Sequence, residues 1–266
     1  MTHLPNAPLA YTLGQIRFPV VPMERFAPLF HDAMRAEMPH RDNFELQQMQ
    51  VEFGPDGVKT NQTPLKIWQI ASPDRKFALI LTPDSLSLHT NSYREHQSFI
   101  DLFERALTSL IAVPEIGIKW MSGVALRYVN VIVPPEGEDL ARLLVPSVLP
   151  PTFSDVADLK IAEGIYVSQY HAEGANVRFQ LLRNPRAVMP PDIDTPLLRV
   201  NKWTVPRPTQ EFAVVDTDCS ATISVAAPLD LSAVRAHMYR LRFVAKAIFE
   251  HIGTEFATSL WKGRAS

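Results

Sequence analysis

The sequence predicts an α+β fold, mainly antiparallel sheet in two pseudo-repeated halves, packed on two long helices. Three observations predict it. One order of elements (strand, helix, several strands, helix) reads twice, over residues 13–112 and again over 123–261. Short extended segments are separated by tight turn chemistry, which favours antiparallel neighbours. Two stretches carry apolar residues at helical spacing. The chain, 1–266, is expected to form a single compact unit, with enough length to bury a sizeable core.

The elements follow in order. Leu13–Phe18 reads as a strand closed by Pro19 and Pro22. Phe26, Leu29, Phe30, Ala33 and Met34 recur at helical spacing, with Pro28 either in the first turn or inside a helix begun near Met23. Four extended segments come next, Glu45–Phe53, Leu65–Ala71, Phe77–Thr82 and Ser85–Thr90, separated by Gly54-Pro55-Asp56-Gly57, Pro73-Asp74 and Pro83-Asp84. Ser92 and Glu95 have capping-box spacing before a helix that runs to Ala112, with Phe99, Leu102, Phe103, Ala106, Leu107 and Leu110 on one face.

Trp120–Val133 opens the second reading, apolar on both faces as a covered central strand should be. Asp139–Val145 reads as a short helix, and Gly164–Ala172 with Ala175–Leu182 as a hairpin around Glu173-Gly174. From Asn184 to Thr209 the chain is proline-rich and irregular, with a strand expected at Leu197–Trp203. Glu211–Val225 is extended, bent near Asp216–Ser220. A last helix runs from an Asp230 N-cap to Trp261 and carries two apolar stripes, Val234, Met238, Leu241, Ala245, Ile248, Ile252 and Tyr239, Phe243, Phe249, Phe256. Such a helix is covered on two sides or carries a dimer contact.

Composition excludes several classes. A formal charge of −2 gives no net attraction for DNA or for an anionic membrane. One cysteine, Cys219, forbids an internal disulfide and any zinc site built on several thiolates. No apolar run approaches a membrane span, and the first residues lack a leader pattern, so the cytoplasm is the expected location. G-x-S-x-G, Walker and G-x-G-x-x-G motifs are missing from the sequence, and with only 10 glycines a phosphate-cradling loop has few places to form.

Three groups of residues carry candidate chemistry. Arg127, Tyr128 and Asn130 lie on one strand, with Tyr128 and Asn130 on one face and Arg127 on the other. An enclosed guanidinium is either an anion clamp for phosphate or carboxylate, or half of a structural ion pair. Asp216 and Asp218 fall on one side of a strand, which suits a magnesium or calcium site, an acid–base pair, or carboxylates satisfying backbone N–H groups. Arg178, Arg183 and Arg186 near a hairpin end, together with the aromatic residues, suit single-stranded nucleic acid or a solvated loop. The scattered histidines show no metal-ligand spacing, and no cofactor is expected.

The succession LGQIRF, a helix ending Met38-Pro39, KIWQIASPDRKFALILTPDSLSLHTNSY, a helix around Phe99, the strand Leu126–Asn130, the segment Asp216-Thr217-Asp218 and a terminal helix ending near a Trp resembles an uncharacterised prokaryotic family described mainly by its sporadic distribution. The similarity spans nearly the whole chain. It implies no catalytic residues, and it implies a mobile locus of the defence or toxin–antitoxin kind. The outline also resembles helix-grip and TATA-binding-like folds, an analogy of fold alone. The leading expectation is a non-catalytic interaction or regulatory protein with a protein partner or as a homodimer. The alternatives are a small-molecule binding module with an anion site at Arg127, and a nucleic-acid-binding component.

Overall fold

The structure, a computed structural model, describes residues 5–54, 57–151, 153, 156, 159, 161–172, 174–190, 192–193 and 206–263, leaving out the side chains of 46–63 and 224. Among these residues nine strands form one sheet: β1 (Leu9–Arg17), β2 (His40–Gly54), β3 (Gly57–Ala71), β4 (Phe77–Thr82), β5 (Ser85–Thr90), β6 (Trp120–Ile132), β7 (Gly164–Ala172), β8 (Ala175–Arg183) and β9 (Ala213–Pro228). The helices are α1 (Met23–Met34), α2 (His96–Ile111), α3 (Leu140–Leu143), α4 (Leu231–Ile252) and α5 (Glu255–Trp261), with a 3-10 turn at Pro146–Val148. The fold is therefore α+β with an antiparallel sheet. None of the described helices is long and apolar enough to cross a membrane.

The sheet order is β2-β3-β4-β5-β1-β6-β9-β8-β7. Its centre is the antiparallel pair of β1 and β6, in which Leu13 stands opposite Arg127 and Ile16 opposite Val124. On each side of that pair the last strand of the half comes next, β5 beside β1 and β9 beside β6. From there the strands run outward in reverse chain order.

Alternation then divides the residues between two faces. One face carries Ile16, Leu79, Leu81, Leu86, Leu88, Val124 and Leu126, packed beneath the apolar sides of α1, α2 and α4. Phe30, Phe103, Leu107 and Met238 are buried in this core, and each such side chain contributes roughly 1.5–3 kcal/mol of burial. On the opposite face Tyr11, Ile67, Ala78, Ile80, Val129 and Val214 pack against Val188, Ile193 and Phe212 from the connection between β8 and β9. A third cluster joins α3, α5, β8 and β9 through Leu140, Leu143, Phe179, Val215 and Trp261.

Several local expectations are corrected. β1 begins at Leu9, four residues ahead of the apolar run at Leu13. Of the two places expected for Pro28 the second holds: it lies inside α1, which begins at Met23, and its ring nitrogen can give no bond to the carbonyl of Glu24. The capping box does not form: Glu95 is the N-cap of α2 without a side-chain cap bond, and the backbone N–H of Ser92 donates to Thr90 instead. β9 runs on through Asp216–Ser220, and its register with β6 shifts only beyond Thr222. The final helix breaks at Gly253, where Leu144 forms a β-bridge, and Thr254 caps α5 by accepting from the N–H of Ala257. The strand expected at Leu197–Trp203 lies outside the described residues.

The break explains the second apolar stripe. Trp261 folds back to stack on Phe249 at 4.7 Å, and Tyr239 covers His96, so of that stripe Phe243 is left 72% exposed. Gly14 marks a close approach of helix and sheet, because a Cβ there would lie 2.9 Å from Phe99 Cε1. Gly14→Val should cost about 1–3 kcal/mol, seen as a lower urea midpoint. Gly123→Ala, whose new carbon would meet only ordinary contact at 3.5 Å, should shift the midpoint far less.

Candidate functional site

The charged residues of the second reading meet on the face away from α2 and α4. Directly opposite residues in antiparallel strands share a face. In register, Leu13 of β1, Arg127 of β6, Asp218 of β9 and Arg178 of β8 form one row across the sheet. The next row is Tyr11, Val129, Asp216 and Gln180. His89 of β5 extends the first row beyond Leu13.

Arg127 does not bond the aspartate directly opposite it. Its Nε donates to Asp216 Oδ1 at 2.8 Å and its Nη2 to Asp216 Oδ2 at 2.7 Å, a bidentate pair with the diagonal neighbour. Nη1 and Nη2 also donate to Asp192, the latter at 3.1 Å. Arg127 and Asp216 are buried at 5% and 1%, whereas the Asp192 side chain is 60% exposed. A buried guanidinium needs such compensation, because desolvation costs several kcal/mol unless every donor finds an acceptor.

The electrostatics follow from this arrangement. Burial works to lower the Arg127 pKa, but the bonds and charges of Asp216 and Asp192 outweigh it and hold it raised. Burial works to raise Asp192, and the Arg127 bond and charge reverse that and lower it. Asp218 is raised, first by burial and then by the neighbouring carboxylates, against the pull of Arg127 and Arg178. The cluster of Arg127, Arg178, Asp192, Asp216 and Asp218 therefore has one carboxylate in excess.

Beside it lies a group that sequence patterning missed. His89 Nε2 and Ser87 Oγ are 2.7 Å apart, and His89 Nδ1 bonds the hydroxyl of Tyr11. All three are buried. One polarity satisfies the chain: Tyr11 O–H donates to Nδ1, Nε2–H donates to Ser87, and Ser87 donates to the Ile80 carbonyl at 3.4 Å. Burial and the Arg127 charge push His89 down to about 3, so the ring is neutral at ordinary pH. The Tyr11 hydroxyl is pushed well up by burial. Such a chain fixes a tautomer and ties three strands together. The one available signal was Ser87 and His89 two apart on a strand whose other face carries Leu86 and Leu88.

Not all of the other candidates join Arg127. Tyr128 and Asn130 lie on the helix side; the Tyr128 hydroxyl is 3.3 Å from that of Tyr93, and the two rings meet edge to face. Arg183 bonds Glu211 and Arg186 bonds Glu163, while Arg178 is exposed and has no hydrogen-bond partner among the described residues. Asp216 and Asp218 share a face, but both Asp216 oxygens accept from Arg127. Among the described residues no group of three His, Cys, Asp or Glu has metal-holding geometry. Cys219 is buried and its thiol is pushed up to about 12, first by burial.

Two outcomes are expected. Asp216→Ala should cost about 3–5 kcal/mol in chemical denaturation, since it strips a buried cation of its main partner. Asp192→Ala should cost less than about 1 kcal/mol, as its carboxylate is largely solvated. Second, the folded-state pKa of His89 is depressed from 6.5 to about 3. Its contribution is present above 6.5 and is lost as pH falls toward 3, because the unfolded chain takes up a proton that the folded one refuses. At pH 5 the loss should be about 2 kcal/mol, read from urea midpoints against pH 7, and His89→Gln should remove that share of the acid sensitivity.

No protein-family model matches the chain, and no curated protein matches it either.

Proposed function

We propose that this chain is a non-catalytic interaction protein that acts through a protein partner or as a homodimer. The observation that carries this reading is a contrast. The central charges bond one another: Arg127 is held by Asp216 and Asp192 on a face closed over by Val188, Ile193 and Phe212. Large apolar side chains instead stand out at the periphery, with Ile165 70%, Val167 46% and Tyr170 49% exposed on β7 and Phe243 72% exposed on α4. Isolated exposed apolar residues are ordinary, but neighbours grouped on one strand favour a contact surface. The resemblance to a sporadically distributed family fits a mobile locus of the defence or toxin–antitoxin kind.

The anion-site reading has one observation in its favour. The solvated Asp192 carboxylate occupies the outward edge of the Arg127 guanidinium, as a ligand carboxylate or phosphate would. A ligand anion would have to displace it next to Asp216 and Asp218, against the local excess of negative charge, so this reading ranks second. Of its three arginines the nucleic-acid reading keeps only Arg178 without a hydrogen-bonded carboxylate among the described residues, and that charge already acts on Asp192 and Asp218, while Arg183 and Arg186 pair with glutamates.

The tagged chain, expressed in its native host and recovered under gentle conditions, should emerge in a stoichiometric complex or as a dimer. A lone monomer at micromolar concentration, with nothing retained, would sink the proposal.

A further inference from the structure

We infer that the outer edge of β7 is a dimerisation edge, pairing antiparallel with β7 of a second copy of this chain. The inference rests on the interaction reading above and names its surface and partner.

Among the described residues β7 is the last strand of the sheet and pairs only with β8, along its whole length from Gly164 to Ala172. Its other edge presents a row of backbone N–H and C=O groups, which is a template for one more strand. Side chains usually guard such an edge. The opposite edge strand, β2, carries Arg41, Asp42 and Glu45. β7, GIYVSQYHA, carries no Lys, Arg, Asp, Glu or Pro, and is rich in residues that favour strands. Ile165 and Val167 are exposed on one of its faces and Tyr170 on the other.

The topology marks the same place. Outward from the centre, β9, β8 and β7 stand where β5, β4 and β3 stand in the first half. β3 has a further neighbour, β2, bonded from His40 to Gly54. Beyond β7 that position has no strand among the described residues.

A second copy is the favoured occupant because the strand complements itself. Two-fold pairing makes each residue meet its mirror about one centre. Centred on Ser168, Tyr166 meets Tyr170 of the copy, Val167 meets Gln169, and Ile165 meets His171. Each Tyr–Tyr pair is a favourable cross-strand contact, and no acidic or lysine–arginine charge meets its like.

The full chain should show about twice 29.9 kDa by light scattering at micromolar concentration. Val167→Lys puts a charge on an already exposed position and should weaken self-association by about tenfold or more, with circular dichroism unchanged. Ser168→Cys, which meets its own copy at the two-fold centre, should give a covalent dimer on mild oxidation, and Gln169→Cys, which meets Val167, much less; the native Cys219 is buried and does not compete. A monomeric chain, or a dimer indifferent to Val167→Lys and not cross-linked at 168, overturns the edge assignment. If such a chain still retains a different protein, the interaction reading stands without it; if it retains nothing, both fall.

Discussion

The pairing of β1 with β6 is the constraint on which the rest depends. Among the described residues it is the one seam where the first half of the chain touches the second through a continuous backbone ladder, from Tyr11 opposite Val129 to Arg17 opposite Gly123. Because strand side chains alternate strictly, fixing that register fixes which residues face the helices everywhere else in the sheet. A slip by one residue would send Ile16 and Leu126 away from Phe99 and Phe103, and would turn Arg127 into the main apolar core. Gly14 permits the close approach that holds the register, with Phe99 and Met238 lying directly over it.

From that register follows the separation of chemistry from packing. The helix side is filled by aliphatic and aromatic groups, with the hydroxyls of Tyr93 and Tyr128 bonding each other. The other side gathers Arg127, Asp216, Asp218, Tyr11, Ser87 and His89. There, Arg127 and Asp216 bond β6 to β9, and Tyr11 and His89 bond β1 to β5, so the polar centre acts as internal cross-linking within each strand pair. The connection after β8 is pinned to this centre by Asp192 and seated by Val188, Ile193 and Phe212.

Much of the fold was legible because it rests on local periodicity. Alternation alone placed Arg127 opposite in sense to Tyr128 and Asn130, and put Asp216 and Asp218 on one side. The partners were less legible. Arg127 chooses the diagonal Asp216 over the facing Asp218, a matter of side-chain reach that register does not encode. Its second partner, Asp192, sits in a proline-rich connection whose path has no period. The Tyr11–His89–Ser87 chain joins residues from two strands that are each ordinary alone. At the C-terminus, the long apolar pattern concealed a break that Gly253 and Thr254 do signal; the continuing stripe outweighed them because Trp261 returns to the same core as Ile252.

The distance in sequence between Arg127 and Asp216, 89 positions, has a consequence for the order of assembly. As β6 leaves the ribosome it can dock on β1 and receive α2, since both precede it. Its guanidinium, however, must stay hydrated until β9 is made. The helix-covered layer can therefore consolidate early, while the opposite layer waits for the carboxylate that lets it shed water. Non-local closure of this kind slows folding and leaves β6 an open edge for a nascent-chain chaperone to shield.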